Sequence, residues 1–294
     1  MLKLPKLNLL VAFPYFSKSI YKLLLTKDPD SFRLIIDSGA FTAWNTGKQI
    51  SLDNYAKFLK TIPSHWEYKS VQLDVFGNPE QTYINYLKMM DMGFNEIMPV
   101  FTRGDSLERL EEFYSYTNYI MFGGIVVGGE NKNYVKWFCE MNKGRKAHWL
   151  GFVNLPFMKH YKPYSVDSSS WTRGARFGTL EFYNGFGEIK IHNKKIFIEK
   201  PPEKIIKVLK ESGFTVNEIL ALSNKESWTS SGYYRPEICN KSLAFFMTAL
   251  AHVRRSLDVE KKLGTQIYLA CGGENQVETL FECVKFLNER NVKY

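Results

Sequence analysis

Three aspartates follow short apolar segments and are the side chains of this sequence best suited to chemistry. Asp37 ends the segment RLIID, Asp74 ends VQLD and Asp167 ends YSVD. Taken singly, an aspartate at a strand end is usually a helix cap or the acceptor of a loop hydrogen bond. Three such carboxylates at one site repel, so at least one pKa should rise while another group stays ionised. Cleavage of a glycosidic bond needs that division between an attacking carboxylate and a proton donor.

Arginines and aromatic residues come shortly after Asp167. Arg173 and Arg176 lie six and nine residues beyond it, and Trp171 and Phe177 are interleaved with them. The guanidinium group matches phosphate oxygens, and aromatic rings among basic residues are typical of base-stacking sites. A solvated basic loop is the simpler interpretation. The spacing favours two arginines that bind a sugar-phosphate backbone beside Asp167.

Glycines accompany the same segments. They are Gly39 in DSGAF, Gly123, Gly124, Gly128 and Gly129 in FGGIVVGG, and Gly272 and Gly273 in ACGGE. Without side chains they let a flat ligand lie against the backbone N–H groups, although tight turns between strands and helices also use glycine. At ACGGE, a helix that begins near Glu274 could instead hold a phosphate at its N-terminus.

Apolar strand-like runs alternate with helical segments, which is the pattern of parallel strands joined by crossover helices. The predicted strands are Asn8–Phe13, Leu34–Asp37, Ser70–Asp74, Glu96–Phe101, Tyr119–Val127, His148–Val153, Ser165–Asp167 and Gln266–Ala270. Predicted helices between them include Leu52–Thr61, Pro79–Met92, Ser106–Tyr116, Asn133–Asn142 and Asn275–Arg290. The fold class is therefore α/β, a (β/α)8 barrel of the TIM type. Its active-site rim lies at the carboxyl ends of the strands, where the three aspartates would meet.

The alternation stops after Gly178. Thr179–Ile198 alternates in strand fashion around Asn184-Gly185 and Asn193-Lys194, which predicts one or two β-hairpins inserted after the seventh strand, at about residues 179–200. Extra C-terminal helices are predicted over Pro202–Ser212 and Pro236–Leu263. With 294 residues, one domain over 1–294 is expected rather than two.

Charge and composition limit the partners. The chain has 39 Lys and Arg against 30 Asp and Glu, a net charge of +9 that favours a polyanionic partner, although a merely soluble basic protein has the same balance. The four cysteines form no CxxC pair and the five histidines no HExxH, so neither a metal nor a cofactor is predicted. Pro14 interrupts the apolar run Leu9–Phe13, which favours a first strand over a secretory signal. No apolar run approaches the ~20 residues that span a bilayer, so no membrane partner and a cytoplasmic location are expected.

The motifs resemble those of the tRNA-guanine transglycosylases and of their DNA-acting relatives, the 7-deazaguanine DNA transglycosylases of phages and genomic islands. DSGAF is similar to the family motif DSGGF or DSGSF, QLDVFGNP to its base-reading segment, and GGIVVGG to its GGLAVGE. Asp167, Arg173, Arg176 and Gly178 match the spacing of its nucleophile segment. The resemblance covers most of the chain from about Asp37 to Gly178.

The resemblance implies roles for individual residues. Asp167 would be the nucleophile and Asp37 the proton donor and acceptor. The bound base would contact Asp74, Ser38, Gly39, Phe101, Gly123, Gly124 and Ile125, with Phe101 near the position of a base-binding glutamine in the family. Arg173, Arg176 and Trp171 would contact the nucleic-acid backbone.

Two family features are absent from the sequence. The tRNA enzymes carry CxCxxC and a histidine for zinc after the seventh strand, and a VQGG segment that is PVFTRG in this chain. DNA is therefore expected as the partner in preference to tRNA, with a free 7-deazaguanine base such as preQ0. The expected reaction exchanges guanine for that base through a covalent intermediate. The alternatives are the same exchange on tRNA, a non-catalytic barrel that binds nucleic acid, and a barrel enzyme for a small phosphorylated metabolite.

Overall fold

An eight-stranded parallel sheet forms the centre of the computed structural model, which describes residues 5–126, 131–199, 201–228 and 242–292. The strands are β1 (Leu7–Ala12), β2 (Phe32–Asp37), β3 (Tyr68–Ser70), β4 (Val100–Phe101), β5 (Ile120–Phe122), β6 (Ala147–Trp149), β7 (Ser165–Ser168), β8 (Thr179–Tyr183), β9 (Ile189–Asn193) and β10 (Gln266–Cys271). The order across the sheet is β3-β2-β1-β10-β7-β6-β5-β4, and β8 and β9 form a separate antiparallel pair. The predicted α/β architecture with eight parallel strands is confirmed.

Helices connect the strands. They are α1 (Lys18–Leu25), α2 (Ala40–Thr46), α3 (Leu52–Leu59), α4 (Pro79–Asp91), α5 (Leu107–Tyr116), α6 (Lys132–Asn142), α7 (Leu155–Tyr161), α8 (Lys194–Glu199), α9 (Glu203–Glu211), α10 (Val216–Leu220), α11 (Leu243–Leu263) and α12 (Glu274–Glu289). Short 3-10 turns include Phe13–Tyr15, Ser170–Thr172 and Gly174–Phe177.

Side-chain caps set the starts of many of these helices. Ser17, Ser51, Asn78, Ser106, Asn131, Asn154, Thr215 and Ser242 each accept a hydrogen bond from a backbone N–H of the first turn. Each such cap is worth about 1 kcal/mol because it satisfies a donor that the helix leaves unpaired. Polar residues at these positions therefore predicted helix starts well.

The sheet is curled, and its two outer strands approach each other. A parallel bridge pairs Val71, just after β3, with Met98, just before β4. Met98 donates its N–H to the Ser70 carbonyl at 2.8 Å, and Gln72 donates to the Met98 carbonyl at 3.0 Å. The carboxyl ends of the strands consequently face a common space.

Alternation along the strands divides the apolar residues into two layers. Leu9 and Val11 of β1 belong to the large core between the sheet and its helices. Leu10, between them, packs inside the curl with Ile35 and Tyr268. A strand residue therefore faces either the helices or the interior of the curl, depending on its parity.

Four predicted strands end or begin elsewhere in the structure. β3 ends at Ser70, where the strand Ser70–Asp74 was predicted to begin, and β6 ends at Trp149 rather than at Val153. For the other two, the reason is visible in the sequence. Pro99 has no N–H to donate, and β4 begins only at Val100 rather than at Glu96. β5 ends at Phe122, and Gly124 then adopts a left-handed φ of 72° that strands do not use. Val127, the predicted end of this strand, lies outside the described residues, as do residues 229–241, which include the predicted start of the long helix at Pro236.

The region after β7 contains one hairpin rather than two. β8 and β9 pair from Thr179 with Asn193 to Tyr183 with Ile189, and the turn runs through Asn184-Gly185 as predicted. The second predicted turn, at Asn193-Lys194, is instead the start of α8, where the Asn193 side chain accepts from the Lys195 N–H at 2.9 Å. The hairpin packs against α11, since the Thr248 hydroxyl accepts from the Glu181 N–H at 3.3 Å.

Within the ranges described, no helix has the length and apolar character needed to cross a membrane.

Candidate functional site

Three carboxyl groups meet at the carboxyl ends of the strands. Asp37 is the last residue of β2, Asp74 follows the Val71 bridge, and Asp167 lies in β7. Burial, together with the nearby charges of Asp74 and Asp167, raises the pKa of Asp37 to about 7. The structure thus brings together the three aspartates that were selected from separate strand ends.

Asp37 and Asp74 are held by the turn that follows β2. Gly39 donates its N–H to Asp37 Oδ2 at 2.9 Å, and Ser38 donates its hydroxyl to Asp74 Oδ1 at 2.9 Å. Burial raises the pKa of Asp74 to about 6, and the bond from Ser38 acts in the opposite direction. Asp37 and Asp74 thus both have pKa values near neutrality, and each is hydrogen bonded to one residue of the dipeptide Ser38-Gly39.

The backbone conformation and the close neighbours favour glycine at two turns of this region. Gly39 has a φ of 87°, and a Cβ there would lie 2.4 Å from Pro14 Cδ. Gly124 has a φ of 72°, and a Cβ there would lie 3.1 Å from Thr102 Oγ1. Both positions thus favour the tight-turn interpretation of the glycines, and the turn at Gly39 also provides the N–H that contacts Asp37.

Asp167 is buried and is hydrogen bonded through one of its two oxygens. Oδ1 accepts the Gly151 N–H at 2.7 Å and contacts His148 Nε2 at 3.1 Å. No hydrogen bond from the described residues falls on Oδ2. The described residues thus hold one oxygen of Asp167 and leave the other without a hydrogen bond.

The contact with His148 was not predicted from the sequence. His148 lies in β6 and pairs in register with Ser165 of β7, two residues before Asp167. Nδ1 of His148 lies 2.5 Å from Ser165 Oγ, which lies 2.6 Å from the Tyr119 hydroxyl. The local signal in the sequence was the presence of single polar residues, such as His148 and Ser165, within otherwise apolar strands. That His148 contacts Asp167 follows only from the pairing of β6 with β7.

Three residues predicted to contact the nucleic acid or base are buried elsewhere. Phe101 is fully buried and packs 5.7 Å from Phe138, on the face of β4 that meets α6. Ile125 is fully buried in the same outer core. Trp171 is also fully buried. Its indole N–H donates to the Ala270 carbonyl at 3.0 Å, so the one polar atom of the ring keeps a partner in the core. These side chains support the rim and have no surface for a ligand.

Of the remaining predicted residues, the structure describes the surroundings of Gly123 and Arg173. Gly123 is buried, and its N–H donates to the Phe101 carbonyl at 2.9 Å, so it serves the sheet. Arg173 is exposed after β7. Arg176 lies in the 3-10 turn Gly174–Phe177, but its side chain is outside the described part of the structure, and Gly128 and Gly129 are outside it entirely.

A group of three aromatic rings, two exposed and one half-buried, comes shortly after Asp37 and Asp74 in the sequence and was not singled out from it. Phe41 and Trp44 of α2 are 51% and 56% exposed. Their neighbour Phe76 follows Asp74 by two residues and stacks on Trp44, with ring centres 4.9 Å apart. We call Phe41, Trp44 and Phe76 the aromatic rim. Exposed rings in a contiguous group are typical of a binding surface.

Comparisons with known proteins add no identification. No family model matches the chain. A search of curated proteins finds no match either. Among the described residues, no group of three or more His, Cys, Asp or Glu is arranged to hold a metal ion.

Proposed function

We propose that the protein exchanges guanine in DNA for a free 7-deazaguanine base, such as preQ0, through a covalent glycosyl ester on Asp167. The observation that carries the proposal is the pairing of unlike carboxyl groups. Asp167 Oδ1 accepts the Gly151 N–H, and the carboxyl group lies near Asp37, whose pKa of about 7 leaves it partly protonated at neutral pH. An attacking carboxylate beside a proton donor is the pair that cleavage of a glycosidic bond requires.

In the first half-reaction, Asp167 attacks C1′ of a guanine nucleotide flipped out of the duplex. The bond from Oδ2 to C1′ forms as the bond from C1′ to N9 breaks, and its electron pair leaves with guanine. Asp37 donates a proton to the departing base. The sugar is then held as an ester of Asp167.

In the second half-reaction, the 7-deazaguanine occupies the place of guanine. Its N9 proton passes to Asp37, N9 bonds to C1′, and the ester bond to Asp167 breaks. Two inversions at C1′ retain its configuration. The burial of Asp167 supports exclusion of water from the ester, which would otherwise be hydrolysed.

Asp74 is suited to recognise the purine. An ionised carboxylate accepts two hydrogen bonds, which matches the amino group and adjacent ring N–H of guanine and its 7-deaza analogues. The hydroxyl of Ser38 fixes Oδ1 of Asp74 and lowers its pKa, so it favours the ionised form. Recognition and proton transfer are thereby divided between two neighbouring carboxyl groups.

Two further features support a nucleic-acid partner. The aromatic rim presents exposed ring faces next to the aspartates, and bases stack on such rings. The net charge of +9 and the exposed Arg173 favour binding of phosphates. Both features suit a polymer with unpaired bases better than a small phosphorylated metabolite.

In the same proposal, the curled sheet is a closed (β/α)8 barrel in a single domain over 1–294. The bridge between Val71 and Met98 supports closure because it connects the segments next to the two outer strands. Closure brings Asp74, three residues beyond Val71, onto the rim that carries Asp37 and Asp167. A cytoplasmic location completes the proposal, since the DNA and free base would be available there.

The test is a direct assay of base exchange. The protein is incubated with duplex DNA, single-stranded DNA or tRNA and with isotopically labelled guanine or preQ0, and the digested nucleosides are analysed by mass spectrometry. Label in DNA that disappears with Asp167→Asn supports the proposal. Asp91→Asn, at the exposed end of α4, is the matched control and should be fully active.

Other outcomes decide against parts of the proposal. Label in tRNA alone transfers the activity to tRNA. Nucleic-acid binding without any exchange, unchanged in Asp167→Asn, indicates a binding protein instead of an enzyme.

A further inference from the structure

A continuous chain of hydrogen bonds runs from Asp167 into the interior of the curl. Asp167 Oδ1 meets His148 Nε2 at 3.1 Å, His148 Nδ1 meets Ser165 Oγ at 2.5 Å, and Ser165 Oγ meets the Tyr119 hydroxyl at 2.6 Å. His148 and Ser165 are completely buried, and Tyr119 is 8% exposed. The three residues come from β6, β7 and the start of the β5 segment, so the chain crosses three neighbouring strands.

The backbone N–H of Gly151 determines which atom donates in the contact between His148 and Asp167. It approaches the same Oδ1 at 2.7 Å and can only donate, so Oδ1 acts as an acceptor. An ionised Asp167 then requires a proton on His148 Nε2, because an unprotonated nitrogen would face the carboxylate lone pairs. Strand pairing therefore selects the imidazole form in which Nε2 carries hydrogen.

Holding one carboxylate oxygen has a consequence for the other. Two donors on Oδ1 fix the rotation of the carboxyl group about its bond to Cβ, and Oδ2 receives no hydrogen bond from the described residues. The tilt of the imidazole is fixed in turn by Ser165 below it and by Tyr268, whose ring lies edge-on at 5.7 Å. A nucleophile that is already oriented in this way loses little further conformational entropy when it attacks C1′.

We propose that His148 is the positioning residue of Asp167: its Nε2–H holds Oδ1, directs Oδ2 at the sugar carbon, and is itself oriented by Ser165 and Tyr119. This inference rests on the proposed function for its chemistry. Tyr119 also lines a cavity of about 170 Å³ at the opposite ends of the strands, so the chain spans the interior from one end towards the other.

The test measures formation of the covalent ester with single-stranded DNA in the absence of free base, as a protein–DNA band on a denaturing gel. His148→Phe should lower the maximal rate at least tenfold with little change in KM, because the sugar-phosphate contacts remain. His148→Gln should recover part of the rate, since its amide nitrogen can reach Oδ1. Ser165→Ala should lower the rate less than His148→Phe does, and Tyr119→Phe should lower it least, because Tyr119 is the farthest of the three from Asp167.

Tyr116→Phe is the matched control for Tyr119→Phe. Its side chain is 51% exposed on α5 and takes no part in the hydrogen bonds from Asp167 to Tyr119, so the variant should match the wild type. Thermal melting identifies any variant that fails to fold. Nitrogen-15 NMR of the imidazole, recorded without substrate, should show hydrogen on Nε2.

The outcomes separate the two proposals. A His148→Phe protein that forms the ester at the wild-type rate overturns the positioning role alone. An imidazole with hydrogen only on Nδ1 also overturns it, whatever the activity. A folded wild type that forms no ester and exchanges no base overturns the proposed function together with this inference.

Discussion

Ser38 donates its hydroxyl to Oδ1 of Asp74 at 2.9 Å, across 36 positions of the chain. The bond connects the turn after β2 with the segment after β3. It lowers the pKa of Asp74, but burial raises that pKa more strongly, and the result is a pKa of about 6. The same hydroxyl group therefore holds the carboxyl group of Asp74 in place and favours its ionised form.

Ser38→Ala should weaken recognition of the incoming base. Without the hydroxyl, Asp74 becomes easier to protonate, and a protonated carboxyl accepts fewer hydrogen bonds from the purine. We expect KM for preQ0 to rise several-fold near pH 6 and less at pH 8, with a stability loss of about 1 kcal/mol. Steady-state kinetics at both pH values measure this. Ser169→Ala, at an exposed position, is the control, and an equal effect of both changes would contradict the assignment.

Asp37→Asn should abolish exchange and stabilise the fold at alkaline pH. The folded pKa, about 7, lies above the ordinary aspartate value of 3.8, so stability falls as pH rises from about 4 to 7 and then stays low. A rise of this size corresponds to roughly 4 kcal/mol, of which we expect the neutral amide to recover about half or more at pH 8. Urea unfolding at pH 5 and pH 8 measures the gain. Asp91→Asn should show none, and an Asp37→Asn protein less stable than wild type at pH 8 would contradict the argument.

The rate of guanine release should fall as pH rises through about 7. Asp37 must be protonated to donate to the leaving base, and its pKa sets that limb of the profile. Single-turnover release of labelled guanine from DNA measures the dependence. A rate independent of pH between 6 and 9 would assign the proton donor elsewhere.

The hairpin insertion should depend on a buried pair between β8 and α11. His252 Nε2 lies 2.6 Å from Glu181 Oε2, and burial lowers the pKa of His252 although Glu181 acts in the opposite direction. As pH falls below 6.5, the unfolded chain takes up the proton first, so stability declines towards acid. His252→Ala should cost about 3 kcal/mol, because it leaves a buried carboxyl without its partner.

Glu181→Gln should cost less, about 1 kcal/mol, since an amide can still bond to the imidazole. Thermal unfolding between pH 5 and pH 8 compares the two changes with His160→Ala, an exposed control. Equal losses for all three would show that the buried pair contributes nothing.

Trp44→Ala should weaken binding of single-stranded DNA without unfolding the protein. The side chain is 56% exposed, so little core packing is lost, whereas one stacked base contributes about 1 to 3 kcal/mol. We expect Kd to rise about tenfold in fluorescence anisotropy at fixed salt. Tyr116→Ala, 51% exposed at the far end of α5, should leave Kd unchanged.

Local patterns in the sequence determined much of the fold. Apolar runs predicted the eight parallel strands, capping residues predicted helix starts, and Asn184-Gly185 predicted the hairpin turn, because each depends on residues close in the chain. The three aspartates were also recognisable, since carboxyl ends of parallel strands share one edge. Their types and positions already indicated a site with carboxyl groups of unequal pKa.

Only the tertiary structure decided which way the other side chains face and what they contact. The resemblance assigned Phe101 and Trp171 to the base and the nucleic-acid backbone, yet strand parity turns Phe101 into the core, and Trp171 is buried with its indole N–H on the Ala270 carbonyl. His148 meets Asp167 because β6 and β7 pair in one register, and a shift of one residue would turn it to the other face. The sequence determined which groups could act, whereas strand pairing decided which of them meet, because contacts between strands depend on register and not on distance along the chain.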